Sequence, residues 1–162
     1  MTRPIWLALA TVAVGALSAG CNPNQQYVPY FGKWDGGLNI LEIPDGPNTP
    51  KDRERESLRG YLMIYGARQK FDLHLEGEQE TLDITGQWRL EKERLTLKAT
   101  KIEIDDQGGE AFRDPNRKFI PGPELRQAYG KPIVLKLSAD KLKLTGLKIS
   151  VGPRIAVHEF SR

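Results

Sequence analysis

The chain has 162 residues, 28% of them charged, with 24 lysines and arginines against 21 aspartates and glutamates and a formal net charge of +3. Cations and anions are interleaved along the sequence, which points to a mixed, solvated surface and away from the clustered basic face of a nucleic-acid binder. A single cysteine excludes an internal disulfide framework.

At the N-terminus, Arg3 supplies a short positive region and residues 5–19 an apolar run, closed by the small residues Ser18, Ala19 and Gly20 that a signal peptidase must fit. A spanning helix needs about 20 apolar residues. Here Gly20, Cys21, Asn22 and Pro23 stop a helix instead of extending it. Residues 1–20 are therefore expected to be removed as a signal peptide. The 142 residues that remain suffice for one domain that buries roughly two-thirds of its unfolded-chain surface.

Leu17-Ser18-Ala19-Gly20-Cys21 resembles the lipobox of bacterial lipoproteins. The resemblance implies a diacylglycerol thioether on Cys21, cleavage before it, and acylation, such as with palmitate, of the new N-terminus. It places the protein in the bacterial cell envelope, held to a membrane by lipid. Asn22 after the cysteine favours the periplasmic side of the outer membrane where the host has two membranes. Lipidation also occupies the chain's one thiol, leaving none for a metal site or a nucleophile.

Residues 21–30 carry two prolines and several amides without helical or strand periodicity, and read as a lipidated tether. The domain proper spans residues 31–162. Past Phe31 apolar and polar residues alternate with period two, the mark of strands buried on one face. Leu82, Ile84, Trp88 and Leu90 oppose Asp83, Thr85, Gln87 and Arg89, and Phe71, Leu73 and Leu75 oppose Asp72, His74 and Glu76. The pattern predicts eight strands, at 33–43, 58–66, 69–76, 81–91, 94–104, 132–138, 141–150 and 154–161. Short hairpin turns join most of them. Changes of phase predict bulges near Lys101 and Gly146.

Two segments interrupt this meander. Residues 44–57 hold three prolines and a charged run, and predict an exposed loop. Residues 105–131 include Gly108-Gly109 and Pro121-Gly122-Pro123, then Glu124–Tyr129 as a short helix stopped by Gly130. A loop of that length in a small domain is commonly functional. Eight long, bent strands are expected to curl shut and so remove their edges. The predicted fold class is all-β, an antiparallel up-and-down barrel with one long loop carrying a short helix.

Tyr30, Gly32 and Trp34 resemble the first-strand motif of lipocalins and the wider calycin group. In that group the tryptophan closes one end of an eight-stranded barrel beneath an arginine from near the last strand. The resemblance assigns that plug to Trp34 with Arg154, and secondarily to Arg162.

Chemistry is sparsely marked. Asp72, His74 and Glu76 share one strand face, but extend along about 13 Å, too far for all three to bind one ion. They read as a polar outward face, and no metal is expected. The serines lack a nucleophile elbow, and Asp105-Asp106 lacks the spacing of a calcium loop. No catalytic residue is assigned, and no cofactor beyond the lipid on Cys21. Two non-enzymatic functions follow. In the first, Trp34, Tyr61, Tyr65, Phe71 and Trp88 line a cavity for a small hydrophobic, lipid-like ligand. In the second, a filled barrel presents the 105–131 loop, through Phe112, Phe119, Ile120 and Tyr129, to an envelope protein partner.

Overall fold

Period-two alternation becomes a closed antiparallel barrel in the computed structural model, which describes residues 25–42, 57–106 and 122–162. The strands are β1 (Gly32–Glu42), β2 (Ser57–Tyr65), β3 (Lys70–Glu76), β4 (Glu80–Glu91), β5 (Arg94–Asp106), β6 (Ile133–Leu137), β7 (Lys143–Gly146), β8 (Ile149–Val151) and β9 (Arg154–Ser161). Consecutive strands pair from β1 through β7, β9 follows β7, and β9 returns to β1. That last ladder runs from Asp35 opposite Ser161 to Glu42 opposite Ile155. Eight strands thus close the barrel, and β8 adds a short ninth on β9.

Inward positions carry the core. Trp34, Leu38 and Ile40 of β1, Leu62 and Ile64 of β2, Phe71, Leu73 and Leu75 of β3, and Leu82, Ile84 and Trp88 of β4 are all buried in one hydrophobic cluster. Each such side chain contributes about 1.5–3 kcal/mol by leaving water. Glycines let the wall coil tightly: a Cβ on Gly37 would overlap the Leu58 carbonyl, and one on Gly60 the His74 carbonyl.

The expected bulge near Lys101 is present. Thr85 faces Lys101 and Gly86 faces Ala99, which leaves Thr100 unmatched, its hydroxyl donating to the Thr85 carbonyl at 3.2 Å. The segment read as one strand over 141–150 is instead two, β7 and β8. Both lie on the edge of β9 opposite β1, and their register on β9 slips by one residue between Thr145–Glu159 and Ile149–Ala156. Leu147 causes the break, since its N–H donates to Val134 of β6 at 2.9 Å rather than joining the β9 ladder.

The two ends of the barrel differ. At one, the described part of the segment that reads as a tether without helical or strand periodicity forms a 3₁₀ helix over Gln25–Tyr30. Its Tyr27 packs on Trp88 with ring centroids 5.6 Å apart, and its Tyr30 carbonyl accepts the Trp34 indole N–H at 2.9 Å. Trp34, fully buried, lies beneath the Arg162 guanidinium, 4.1 Å from the ring centroid. Arg162 also donates to the Phe31 carbonyl. The plug is therefore Trp34 with Arg162, and the assignment to Arg154 is corrected. Ser161 sits opposite Asp35, so Arg154, seven residues back along β9, lies about 23 Å away at the rise of a strand.

At the other end α1 (Gly122–Tyr129) packs Leu125, Ala128 and Tyr129 inward against β5 and β8. Pro123 suits a first helical turn, and Gly130 closes the last one by donating to the Arg126 carbonyl at 3.0 Å. Here Arg154 meets Glu124 at 2.9 Å, anchoring the helix to β9.

Charges interleaved in sequence are sorted by this topology. Residues 25–35, 65–70, 89–94, 136–143 and 161–162 meet at the 3₁₀-helix end and carry ten lysines and arginines against four carboxylates. The surface is mixed, as expected, with cations in excess at this one end. Alternation of direction from strand to strand causes this, bringing distant turns to one rim.

Truncating the plug should register as lost stability. Trp34→Ala is expected to cost about 3–5 kcal/mol in urea unfolding, and Arg162→Ala about 0.5–2 kcal/mol. A loss below half the lower Trp34 figure would contradict the plug.

Candidate functional site

Two turns and the 3₁₀ helix frame an open groove of about 760 Å³ at the basic end. Pro29 and Tyr30 form one wall, Leu90, Lys92 and Glu93 of the β4–β5 hairpin a second, and Leu137, Ser138, Ala139 and Lys141 of the β6–β7 turn a third. Its size falls in the range that holds a small molecule. Apolar surface from Pro29, Tyr30, Leu90 and Leu137 sits beside the charged residues Lys92, Glu93 and Lys141, two cations against one carboxylate, which suits an amphiphile with an apolar body and a polar head.

Backbone strain is concentrated at this end. Among the described residues, the non-glycine positions with positive φ are Gln69, Lys92, Glu93 and Lys141, at 49°, 46°, 66° and 61°. All four lie in turns at the basic end, and three of them line the groove. Lys92-Glu93 is a two-residue hairpin with both residues left-handed, where Asn-Gly is the comfortable choice. Such strain persists only where the surrounding structure enforces it, and it clusters at functional sites.

A second polar feature lies inside the barrel. His158 of β9 is fully buried, stacked on Phe160 at 6.0 Å and edge-on to Tyr129 at 5.5 Å. Its Nε2 is 2.9 Å from the Tyr129 hydroxyl, while Nδ1 has no hydrogen-bond partner. With Tyr129 donating, Nδ1 carries a proton with no acceptor; with Nε2 donating, it presents a bare lone pair. Burial lowers the His158 pKa to about 4 and pushes the Tyr129 hydroxyl well above its ordinary value. Both groups stay neutral near pH 7.

The outward face of β2–β4 carries the polar set read from the sequence. His74 holds Asp83 through Nδ1 at 2.7 Å and Glu76 through Nε2 at 3.0 Å. The bond to Asp83, then that to Glu76, raises its pKa above 6.5. Asp72 accepts from the Tyr65 hydroxyl at 2.8 Å. Among the described residues no group of three or more His, Cys, Asp or Glu is arranged to hold a metal ion, and no helix is long and apolar enough to cross a membrane.

Of the residues expected to line a cavity, Trp34, Phe71 and Trp88 face inward and are buried. Tyr61 and Tyr65 do not. They share the outward phase of β2, opposite Leu62 and Ile64, with the Tyr61 ring tilted against His74 at 5.4 Å and Tyr65 44% exposed. Tyr129 is corrected too: assigned to an exposed partner loop, it is 1% exposed and belongs to the core. Phe112, Phe119 and Ile120, like Cys21, lie outside the described residues. The groove residues Leu90, Lys92, Leu137 and Lys141 were not singled out from the sequence, since they meet only after the barrel closes. His158 did carry a signal, because Ala156, His158 and Phe160 keep the inward phase of their strand.

These features define a closed eight-stranded antiparallel barrel with a plugged, basic end and a groove beside the plug. Neither a protein-family model nor a curated protein matches the chain. Among solved structures the chain is similar to the crystal structure of Rv2717c from M. tuberculosis, at 14% sequence identity and a TM-score of 0.40, over 86% of this chain and 96% of that one.

The two histidines predict opposite pH responses. His158 is harder to protonate folded than unfolded, so its contribution is fully present above pH 6.5 and is lost as pH falls toward about 4, on the order of 3 kcal/mol in all. His74 contributes below pH 6.5 and loses its contribution as pH rises through its raised value. NMR titration should find His74 above 6.5 and His158 well below it. Urea unfolding should show stability falling between pH 7 and 4.5, and Tyr129→Phe/His158→Leu should remove most of that fall. An unchanged acid slope in the double variant would contradict the assignment to His158.

Proposed function

We propose that the protein is a lipid-anchored, non-catalytic envelope protein of lipocalin-like architecture that holds a small amphiphilic ligand in the groove beside its plugged end. The groove carries this reading. It is of small-molecule size, apolar along Tyr30, Leu90 and Leu137, charged at Lys92, Glu93 and Lys141 with one cation in excess, and built on strained turn residues. The lipobox-like Leu17–Cys21 stretch supports the anchor, and Trp34 beneath Arg162 supports the kinship in architecture. A ligand acid would meet the two ammonium groups while its apolar part covers Leu90 and Leu137, removing them from water.

The continuous buried core favours a second reading. Trp34, Phe71 and Trp88 already occupy the barrel interior with the leucines and isoleucines around them. A filled barrel serves as a scaffold for a protein partner equally well.

Native mass spectrometry of the mature protein, extracted from its own host, separates the two. The first reading expects a small-molecule mass that leaves on denaturation and is lost in Leu137→Asp, which places a charge in the groove. A clean ligand-free mass from fresh extracts would overturn it in favour of the scaffold.

A further inference from the structure

We infer that the basic end of the barrel docks directly on an anionic lipid bilayer, so that the groove opens at the membrane surface rather than away from it. This rests on the lipid anchor of the proposed function and adds an orientation to it.

Three observations converge. The first is the length of the leash. The 3₁₀ helix begins at Gln25, four residues after Cys21, and four residues span at most about 14 Å even when fully extended. Its far end, Tyr30, is fixed to the plug through Trp34. A lipid on Cys21 therefore holds Gln25 within about 14 Å of the bilayer, and the helix adds about 10 Å at most to Tyr30, so the leash is tied to this end of the barrel and not to the α1 end.

The second is charge. The rim carries ten cations against four carboxylates, while the opposite β3–β4 turn reads Glu76-Gly77-Glu78-Gln79-Glu80. Anionic headgroups attract the first end and repel the β3–β4 turn of the second, over a range of about 8–10 Å. The third is exposed apolar surface. Among the described residues the exposed large hydrophobics are Val28, Tyr65, Leu142 and Leu147. Val28, Tyr65 and Leu142, at 58%, 44% and 52% exposure, project from the 3₁₀ helix, the end of β2 and the β6–β7 turn, all on the basic rim. Apolar tips among lysines suit insertion just below the headgroups.

Because lipidation occupies Cys21, a cysteine introduced elsewhere is the one free thiol. The lipidated protein is reconstituted into vesicles of phosphatidylcholine alone or with phosphatidylglycerol, bearing a fluorophore at Leu142→Cys or, on the opposite end, at Glu78→Cys. A quencher attached to the lipid headgroup reports proximity. Docking predicts quenching at position 142 and not at 78, stronger with phosphatidylglycerol and reduced by high salt. Arg68→Ala and Lys70→Ala, which lie outside the groove, should each weaken docking about fivefold. Equal quenching at the two positions, or indifference to anionic lipid, overturns the orientation while leaving the anchor standing. A mature N-terminal peptide without the diacylglycerol mass on Cys21 overturns the anchor reading and the leash with it.

Discussion

Pairing of β1 with β9 is the constraint from which the rest of the structure follows. An eight-stranded meander left open would expose two long edges ready to pair with other chains. Seven residue pairs from Asp35–Ser161 to Glu42–Ile155 remove both, and Asn39 adds a 2.7 Å side-chain bond to Glu159 across the seam. Closure also sets which side chains meet inside. Leu38 and His158 face each other across the seam on the inward phase. Because β1 leaves and β9 arrives at the same rim, Arg162 reaches back over Trp34, and the first and last described segments seal one end together. Packing, plug and polarity of the molecule are all consequences of that one ladder.

His158 is the place where the core departs from apolar packing. A buried polar atom without a partner costs about 1–3 kcal/mol, and an alanine, leucine or valine at that position would avoid the cost. The contact with Tyr129 gives a physical reason for its presence. Leu125 and Ala128 hold α1 to the barrel by apolar contact that tolerates sliding, whereas a 2.9 Å bond between Tyr129 and His158 fixes one position of the helix along its axis. The Glu124–Arg154 pair fixes it again at the other side. Two directional contacts from one eight-residue helix locate the cap of the barrel more narrowly than its three buried side chains do.

Most of the architecture was legible because alternation is a local signal with a long reach. Leu82, Ile84 and Trp88 announce both a strand and its buried face, and the phase change between Ala99 and Ile102 announces the bulge at Thr100. Local signals fail where a contact from elsewhere decides. Leu147 looks like one more inward residue of a long strand until its N–H is claimed by Val134, and the strand splits. Tyr61 and Tyr65 were read by residue type, although their odd positions in β2 already placed them outside. Arg154 and Arg162 are equally good plug candidates by composition. Register alone separates them, and register belongs to the closed sheet. The groove was hidden for the same reason, since Pro29, Leu90 and the Leu137–Lys141 turn come from three separate parts of the chain.

A closed, filled wall and a strained rim are complementary uses of one fold. The wall tolerates little change, because inward residues such as Leu38, Leu62, Leu73 and Leu82 are buried in one cluster and glycines such as Gly37 and Gly60 sit where no Cβ fits. Function on such a scaffold belongs to the turns, which a rigid sheet holds in place. Lys92-Glu93 illustrates how. Twelve matched pairs between β4 and β5 leave the connecting hairpin only two residues, and the right-handed twist of those strands demands left-handed backbone at both. Asn-Gly would meet that demand at lower cost, but would place neither an ammonium group nor a carboxylate on the groove. The ladder thus supplies the free energy that keeps two charged side chains in a conformation they disfavour, and the result is a charged rim whose shape is as well determined as the wall beneath it.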